Sequence, residues 1–226
     1  MPAPDEVATL YATTRDGFVA QLRTLTPEDA ATTVPSCPDW TVKDVVAHVV
    51  GLVADVIAEV PPPLGSDEMT ARQVAERSAM SLGEICDEWQ ANAEAIVPFL
   101  TEVPLRGLGL TADLAVHVHD IAETLDAVGP PPAETTAAAC ERYVPLLQER
   151  AAEQLNLALT VELGDRRWDP NAGLAPLRME GTPTDFLRAV TGRRTRDHVE
   201  GAFLWDGDPM ELLDGSFTQY GPYRAG

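Results

Sequence analysis

The sequence predicts a mainly helical bundle followed by a small α/β domain, and three observations carry that expectation. Long stretches before residue 155 repeat apolar side chains at helical spacing, and Pro and Gly clusters separate them. After residue 155 the pattern changes to alternation and turn-bounded apolar runs, as in Leu157-Ala-Leu-Thr-Val-Glu-Leu163. The chain of 226 residues is 45% hydrophobic, enough for a sizeable core. The expected boundary puts a bundle at 1–155 and the α/β domain at 156–226.

The elements follow in order. Leu10, Phe18, Leu22 and Leu25 mark a first helix over about 4–25. Thr26-Pro-Glu-Asp then restarts a helix: a Thr cap, Pro at the first helical position, and acids in the first turn. Thr41 and Asp44 fit a capping box opening a helix to about Val60, with Trp40 placed to staple onto Val45 and Pro61-Pro62-Pro63 as the stop. A third helix is expected over about 70–100, interrupted near Gly83, with Ile85, Trp89 and Ile96 inward. Pro104 to Gly109 reads as a loop. Helices over about 112–128 and 133–155 complete the bundle. Beyond it, Gly164-Asp165 reads as a turn before extended Arg166-Arg167-Trp168, and Leu177–Glu180 as a short strand. Thr184–Thr191 reads as a helix stopped by Gly192, and Phe203-Leu204-Trp205 as an extended run before the turn at Asp206-Gly207.

Charge and cysteines narrow the function. With 16 basic and 36 acidic residues the net charge is −20, a surface that repels nucleic-acid phosphates and anionic lipid. Cys37, Cys86 and Cys140 are odd in number and lack a CxxC pair, which argues for a reducing compartment. The N-terminus has no signal-peptide pattern, and Val45–Val60 is too short and too charged to span a bilayer. A cytoplasmic protein is expected, with no nucleic-acid or membrane partner.

Chemistry concentrates on two apolar helices. On one, valines at 42, 45, 46, 49, 50, 53 and 56 leave a polar stripe of Asp44, His48 and Asp55. On the other, Asp113, His117, Asp120 and Thr124 line up at i, i+4, i+7 and i+11. A helix apolar on most sides is buried, so its polar stripe faces a polar interior or cleft. Asp113 and His117 suit two ligands to one ion, and His48 would make the third. A carboxylate and two imidazoles with a position left for water or substrate is a catalytic arrangement for zinc, and also suits iron, nickel or cobalt. The same residues admit plainer roles. Asp113 can serve the helix N-terminus, His48 and His117 can be satisfied core histidines, and His119 is either the exposed member of its pair or an alternative ligand. Arg193, in company with Arg194 and Arg196, reads either as a guanidinium fork for a carboxylate or as a solvated basic loop. Cys37 reads best as a packing residue.

Three segments resemble one family. Cys37-Pro-Asp-Trp-Thr-Val-Lys-Asp-Val-Val-Ala-His48 is similar to the CPxWTVxDLxAH segment of the mycothiol-dependent maleylpyruvate isomerase family, within the DinB-like helical bundles. Asp113-Leu-Ala-Val-His117-Val-His-Asp120 resembles its ExxxHxxD segment, and Gly181–Arg193 its C-terminal GxxxDLLxxLxGR. The resemblance implies a DinB-like four-helix bundle and a small α/β domain closing over it. It implies His48, Asp113 and His117 as metal ligands, with Asp113 where the family has glutamate; Asp120, one turn beyond His117, reads either as a partner for an imidazole N–H or as an ordinary surface acid. Together the motifs suggest a divalent metal, zinc first, and mycothiol or a similar low-molecular-weight thiol. The thiol would add to an electron-poor double bond, allowing rotation and elimination to the trans product, or displace a leaving group. Arg193 would hold a substrate carboxylate. The competing readings are a non-catalytic metal- or ligand-binding bundle, and a thiol-independent enzyme on the same scaffold.

Overall fold

The computed structural model describes residues 2–60, 66–170, 172–220 and 222–224. It divides into two compact units, Met1–Thr135 and Thr136–Gly226. The long helix α8 (Ala133–Leu155) crosses the division. No described helix is long and apolar enough to cross a membrane.

In the first unit α1 (Pro4–Leu22) opens with Pro at its first turn and buries Val7, Tyr11, Phe18 and Leu22 along one stripe. Leu10 and Leu25, expected on that stripe, are only half-buried. After the single turn α2 (Pro27–Ala30), held by the reciprocal Thr26–Asp29 cap, a short antiparallel pair follows: β1 (Thr33–Val34) and β2 (Cys37–Thr41). The sequence reading did not anticipate that pair. Helix α3 (Val42–Ile57) starts where expected. Thr41 Oγ1 accepts from the Asp44 N–H at 3.2 Å, and Asp44 Oδ2 accepts from the Thr41 N–H at 2.9 Å. The Pro61-Pro62-Pro63 stop lies outside the described residues.

The expected helix over 70–100 is three helices: α4 (Asp67–Glu76), α5 (Leu82–Ala91) and α6 (Val97–Glu102). Serine caps start the first two, and Ser81 makes the break between them. Ser66 receives the Met69 N–H, and Ser81 and Glu84 form a capping box, so these side chains compete with a continuous backbone ladder. Pro98 then sits in the first turn of α6, where its missing N–H costs nothing. A second difference is α7 (Pro104–Ala122), which takes in the stretch read as a loop and stops six residues before the expected end. Pro104 is at its first turn. A side chain at Gly107 would put Cβ 2.6 Å from the Leu100 carbonyl, so this glycine permits the close approach of α6 and α7. Periodicity could not show that contact.

The second unit is a four-stranded mixed sheet with helices. Its order is β4 (Arg166–Trp168), β3 (Leu157–Leu163), β5 (Ala175–Gly181), β6 (Leu204–Asp206). β3 and β5 pair in parallel, from Leu157↔Ala175 to Leu163↔Gly181, while the two edge strands are antiparallel. Leu159, Val161 and Leu163 alternate inward beside Leu177 and Met179. Helices α9 (Pro183–Val190), α10 (Arg196–Ala202) and α11 (Met210–Gly215) complete the unit, the last two unanticipated. Gln148 of α8 donates to the Leu159 carbonyl of β3 at 2.9 Å, tying helix to sheet.

Two thiols are sealed in these cores. Cys86 and Cys140 are fully buried and burial pushes both thiols up, whereas Cys37 is half-buried. A thiol reagent at pH 8 should therefore label Cys37 and spare the other two until urea unfolds the chain. An unfolded cysteine ionises near pH 9.0 and a buried one does not. Stability is thus retained below that pH and falls above it, because only the unfolded chain gains from ionising. A urea midpoint that does not drop between pH 8 and pH 10.5 would contradict this.

Candidate metal centre

Two of the donor side chains come from α7 and one from α3. The Thr41–Asp44 cap fixes the start of α3 and so places His48 on its second turn, facing α7. The His48 and His117 rings meet edge to face at 5.1 Å between centroids, and the Trp40 ring lies 5.2 Å from His48. Asp113 Oδ1 is 3.6 Å from His117 Nε2. One donor atom each from His48, Asp113 and His117 falls within 4.8 Å of the others.

His117 is fixed from behind. Its Nδ1 is 3.0 Å from Asp120 Oδ2. Asp120 is fully buried and also receives Ser36 Oγ at 2.7 Å and the Cys37 thiol at 3.8 Å. A carboxylate can only accept, so His117 Nδ1 donates to Asp120, and Nε2 is the ring nitrogen on the Asp113 side. Helical spacing anticipated this role for Asp120. Ser36 and Cys37 as its supports were missed, because the β1–β2 turn that delivers them left no signal in the sequence.

A second donor group, Cys37, His117 and Asp120, lies on the Nδ1 side of the same imidazole. The two are distinguished by what is left unsatisfied. Asp120 is already bonded to three side chains, whereas Asp113 Oδ2 is buried with no hydrogen-bond partner among the described residues. A buried carboxylate oxygen without a donor is costly, and a cation is one partner that would satisfy it. The donors His48, Asp113 and His117 therefore fit a divalent ion, and three protein ligands leave a fourth position of a tetrahedral ion to another ligand.

The other polar positions part company. Asp44 is used in the α3 cap, and Asp55 bonds Arg72 and Gln73. His119 is 5% exposed, buried rather than the exposed member of its pair, and belongs to neither donor group.

Arg193 lies in the second unit. The Gly192 N–H bonds the Ala189 carbonyl at 3.0 Å, and the Arg193 N–H bonds the Arg188 carbonyl at 2.8 Å, the Schellman ending of α9. Gly192 takes φ +78°, as the sequence reading expected of a glycine stop. Arg193 is half-buried and its Nη1 donates to the Thr191 carbonyl at 2.7 Å. Arg196 is engaged by Asp214 and Glu200, both at 2.7 Å.

The family profile described as mycothiol maleylpyruvate isomerase N-terminal domain matches residues 11–137. The chain belongs to that family. Its matched span contains His48, Asp113, His117 and Asp120, while the Gly181–Arg193 segment lies beyond it. Two solved structures are similar. One is a crystal structure of a histidine-to-alanine mutant of mycothiol-dependent maleylpyruvate isomerase, with a TM-score of 0.57 at 11% identity, covering 91% of this chain and 93% of that one. The other, a crystal structure of mycothiol-dependent maleylpyruvate isomerase, gives 0.55 at 12%, covering 85% of this chain and 90% of that one. At such identities the likeness is one of fold: a helical bundle followed by a mixed sheet with helices. A comparison with curated proteins gave no match.

Proposed function

We propose that this family member is a metal- and thiol-dependent enzyme. It would be an isomerase or S-transferase acting on a small electrophilic substrate that bears a carboxylate, such as maleylpyruvate. The convergence of His48, Asp113 and His117 beside an unsatisfied buried oxygen of Asp113 carries the reading. His48, Asp113 and His117 would hold a divalent ion, zinc first by this ligand set, which would supply the positive charge to keep mycothiol or a similar thiol deprotonated at neutral pH.

The chain's own residues contribute orientation and charge. Asp120 keeps the His117 proton on Nδ1. Trp40 packs beside the His48 ring and limits its rotation. By the resemblance of Gly181–Arg193 to the family's C-terminal segment, Arg193 is the proposed residue for a substrate carboxylate. The protein offers little as a nucleophile of its own. Cys86 and Cys140 are buried and held neutral, and the Cys37 thiol is directed at Asp120. A borrowed thiol is consistent with that inventory.

A non-catalytic metal-binding bundle is the second reading. It is favoured by aspartate at 113 where the family segment has glutamate, since a carboxylate one methylene shorter shifts the ion or recruits another water. Elemental mass spectrometry on untagged protein, followed by maleylpyruvate turnover with and without mycothiol, tests both. The expected result is about one divalent ion per chain and turnover only with thiol. Metal without turnover of any thiol acceptor selects the second reading. Folded protein that cannot be loaded with metal overturns both.

A further inference from the structure

Asp55 belongs to the polar stripe of α3, yet it is not part of the donor cluster. It leads to a residue on a different helix. His48, Gly51 and Asp55 follow one another at i, i+3 and i+7 along the face of α3 against which α4 packs. A Cβ at Gly51 would fall 2.5 Å from Gln73 Cβ, so the missing side chain lets α4 approach and buries Gln73 completely. The glutamine bridges His48 and Asp55. Its Oε1 is 2.8 Å from His48 Nδ1, and its Nε2 is 2.5 Å from Asp55 Oδ2.

The direction of that bridge is determined from its far end. Arg72 Nη2 lies 2.7 Å from both Asp55 oxygens, so Asp55 presents acceptors only. Gln73 must turn its NH2 toward Asp55 and its carbonyl toward His48. A carbonyl cannot donate, so His48 Nδ1 must, and the lone pair is left on Nε2. We propose that Gln73, held by Asp55 and Arg72, is a positioning residue that fixes the His48 tautomer with the proton on Nδ1 and Nε2 as the ligand atom. The inference rests on reading His48 as a metal ligand. It makes the two imidazoles equivalent by different means: Asp120 fixes His117 through a carboxylate, and Gln73 fixes His48 through an amide whose orientation is itself enforced. Without Gln73, His48 can carry its proton on Nε2, where the N–H would stand in the ligand position.

Two readouts test it, on wild type, Gln73→Leu and the nearly isosteric Asp55→Asn. Long-range 1H–15N NMR of the metal-free proteins reports the His48 tautomer, and chelator competition reports cobalt(II) affinity. Wild type should show the proton on Nδ1. Gln73→Leu should show a mixture of tautomers and bind cobalt about ten- to a hundredfold more weakly, the range for losing a residue that orients a ligand. Asp55→Asn should move both readouts in the same direction by less. If Gln73→Leu does not fold, Asp55→Asn decides. Wild-type tautomer and affinity in the folded variant overturn the inference and leave the metal reading intact. Wild-type protein that takes up no cobalt overturns the metal reading and the inference with it.

Discussion

Alanine at His117 is expected to abolish metal binding while the chain stays folded. His117 faces Asp113 through Nε2 and Asp120 through Nδ1, so its removal takes one donor and unfixes a second group. His48 and Asp113 remain, from different helices, and two donors do not make a zinc site. Elemental analysis of the purified variant should find no bound ion, and thiol-dependent turnover should disappear with it. The fold should weaken by only about 1–3 kcal/mol, the usual penalty for leaving a buried group one partner short. Asp120 supplies that cost: it is fully buried and would keep Ser36 and Cys37 alone of the side chains described around it. A milder variant separates the roles. Asp120→Asn keeps all three first donors and should reduce metal affinity by roughly ten- to a hundredfold. Metal retained at wild-type stoichiometry in His117→Ala would overturn the ligand assignment.

Trp89→Ala should be the most damaging single change in the core of the first unit. Trp89 is 1% exposed, meets the Phe18 ring edge to face at 6.3 Å, and donates from Nε1 to the Tyr11 hydroxyl at 3.0 Å. Truncating a buried tryptophan costs about 3–5 kcal/mol, a large part of the roughly 5–15 kcal/mol that holds a domain together. Tyr11 is itself buried, and burial pushes its hydroxyl up, so losing the indole N–H removes its one described donor. Trp89→Phe fills most of the volume without the hydrogen bond and should cost much less than Trp89→Ala. Urea unfolding followed by circular dichroism would measure both, and a Trp89→Ala midpoint equal to wild type would contradict this account of the core.

The parts legible in the sequence were those written in local chemistry. Thr41 with Asp44, Thr26 with Asp29 and Gly192 each act on backbone a few residues away, and each element end sits where its residues placed it. The two histidine helices were legible because their valines and leucines leave so narrow a polar stripe. The rest depended on contacts between distant segments. Gln73 is a polar residue on a polar helix, and only the space above Gly51 shows why it is buried. Gly107 lies in the stretch read as a loop, yet it serves a crossing with Leu100 that no periodicity records. Ser36 reaches Asp120 across 84 positions of sequence, through a strand pair too short to announce itself. The ligand stripe could be read from spacing, while the groups that orient it could not.

The packing of α1 has a kinetic consequence. It packs mainly against α5, α6 and α7, and the helix ends at Leu22, long before α7 begins at Pro104. Until those helices exist, the apolar stripe of α1 has nothing to cover it, and closing so long a loop must precede any gain from the contact. In the second unit, β3 and β5 pair over a far shorter excursion of chain. The half of the molecule that emerges first from the ribosome is thus the half that must wait longest for its partners, and Phe18 and Leu22 are the surface exposed to aggregation or chaperones in the interval.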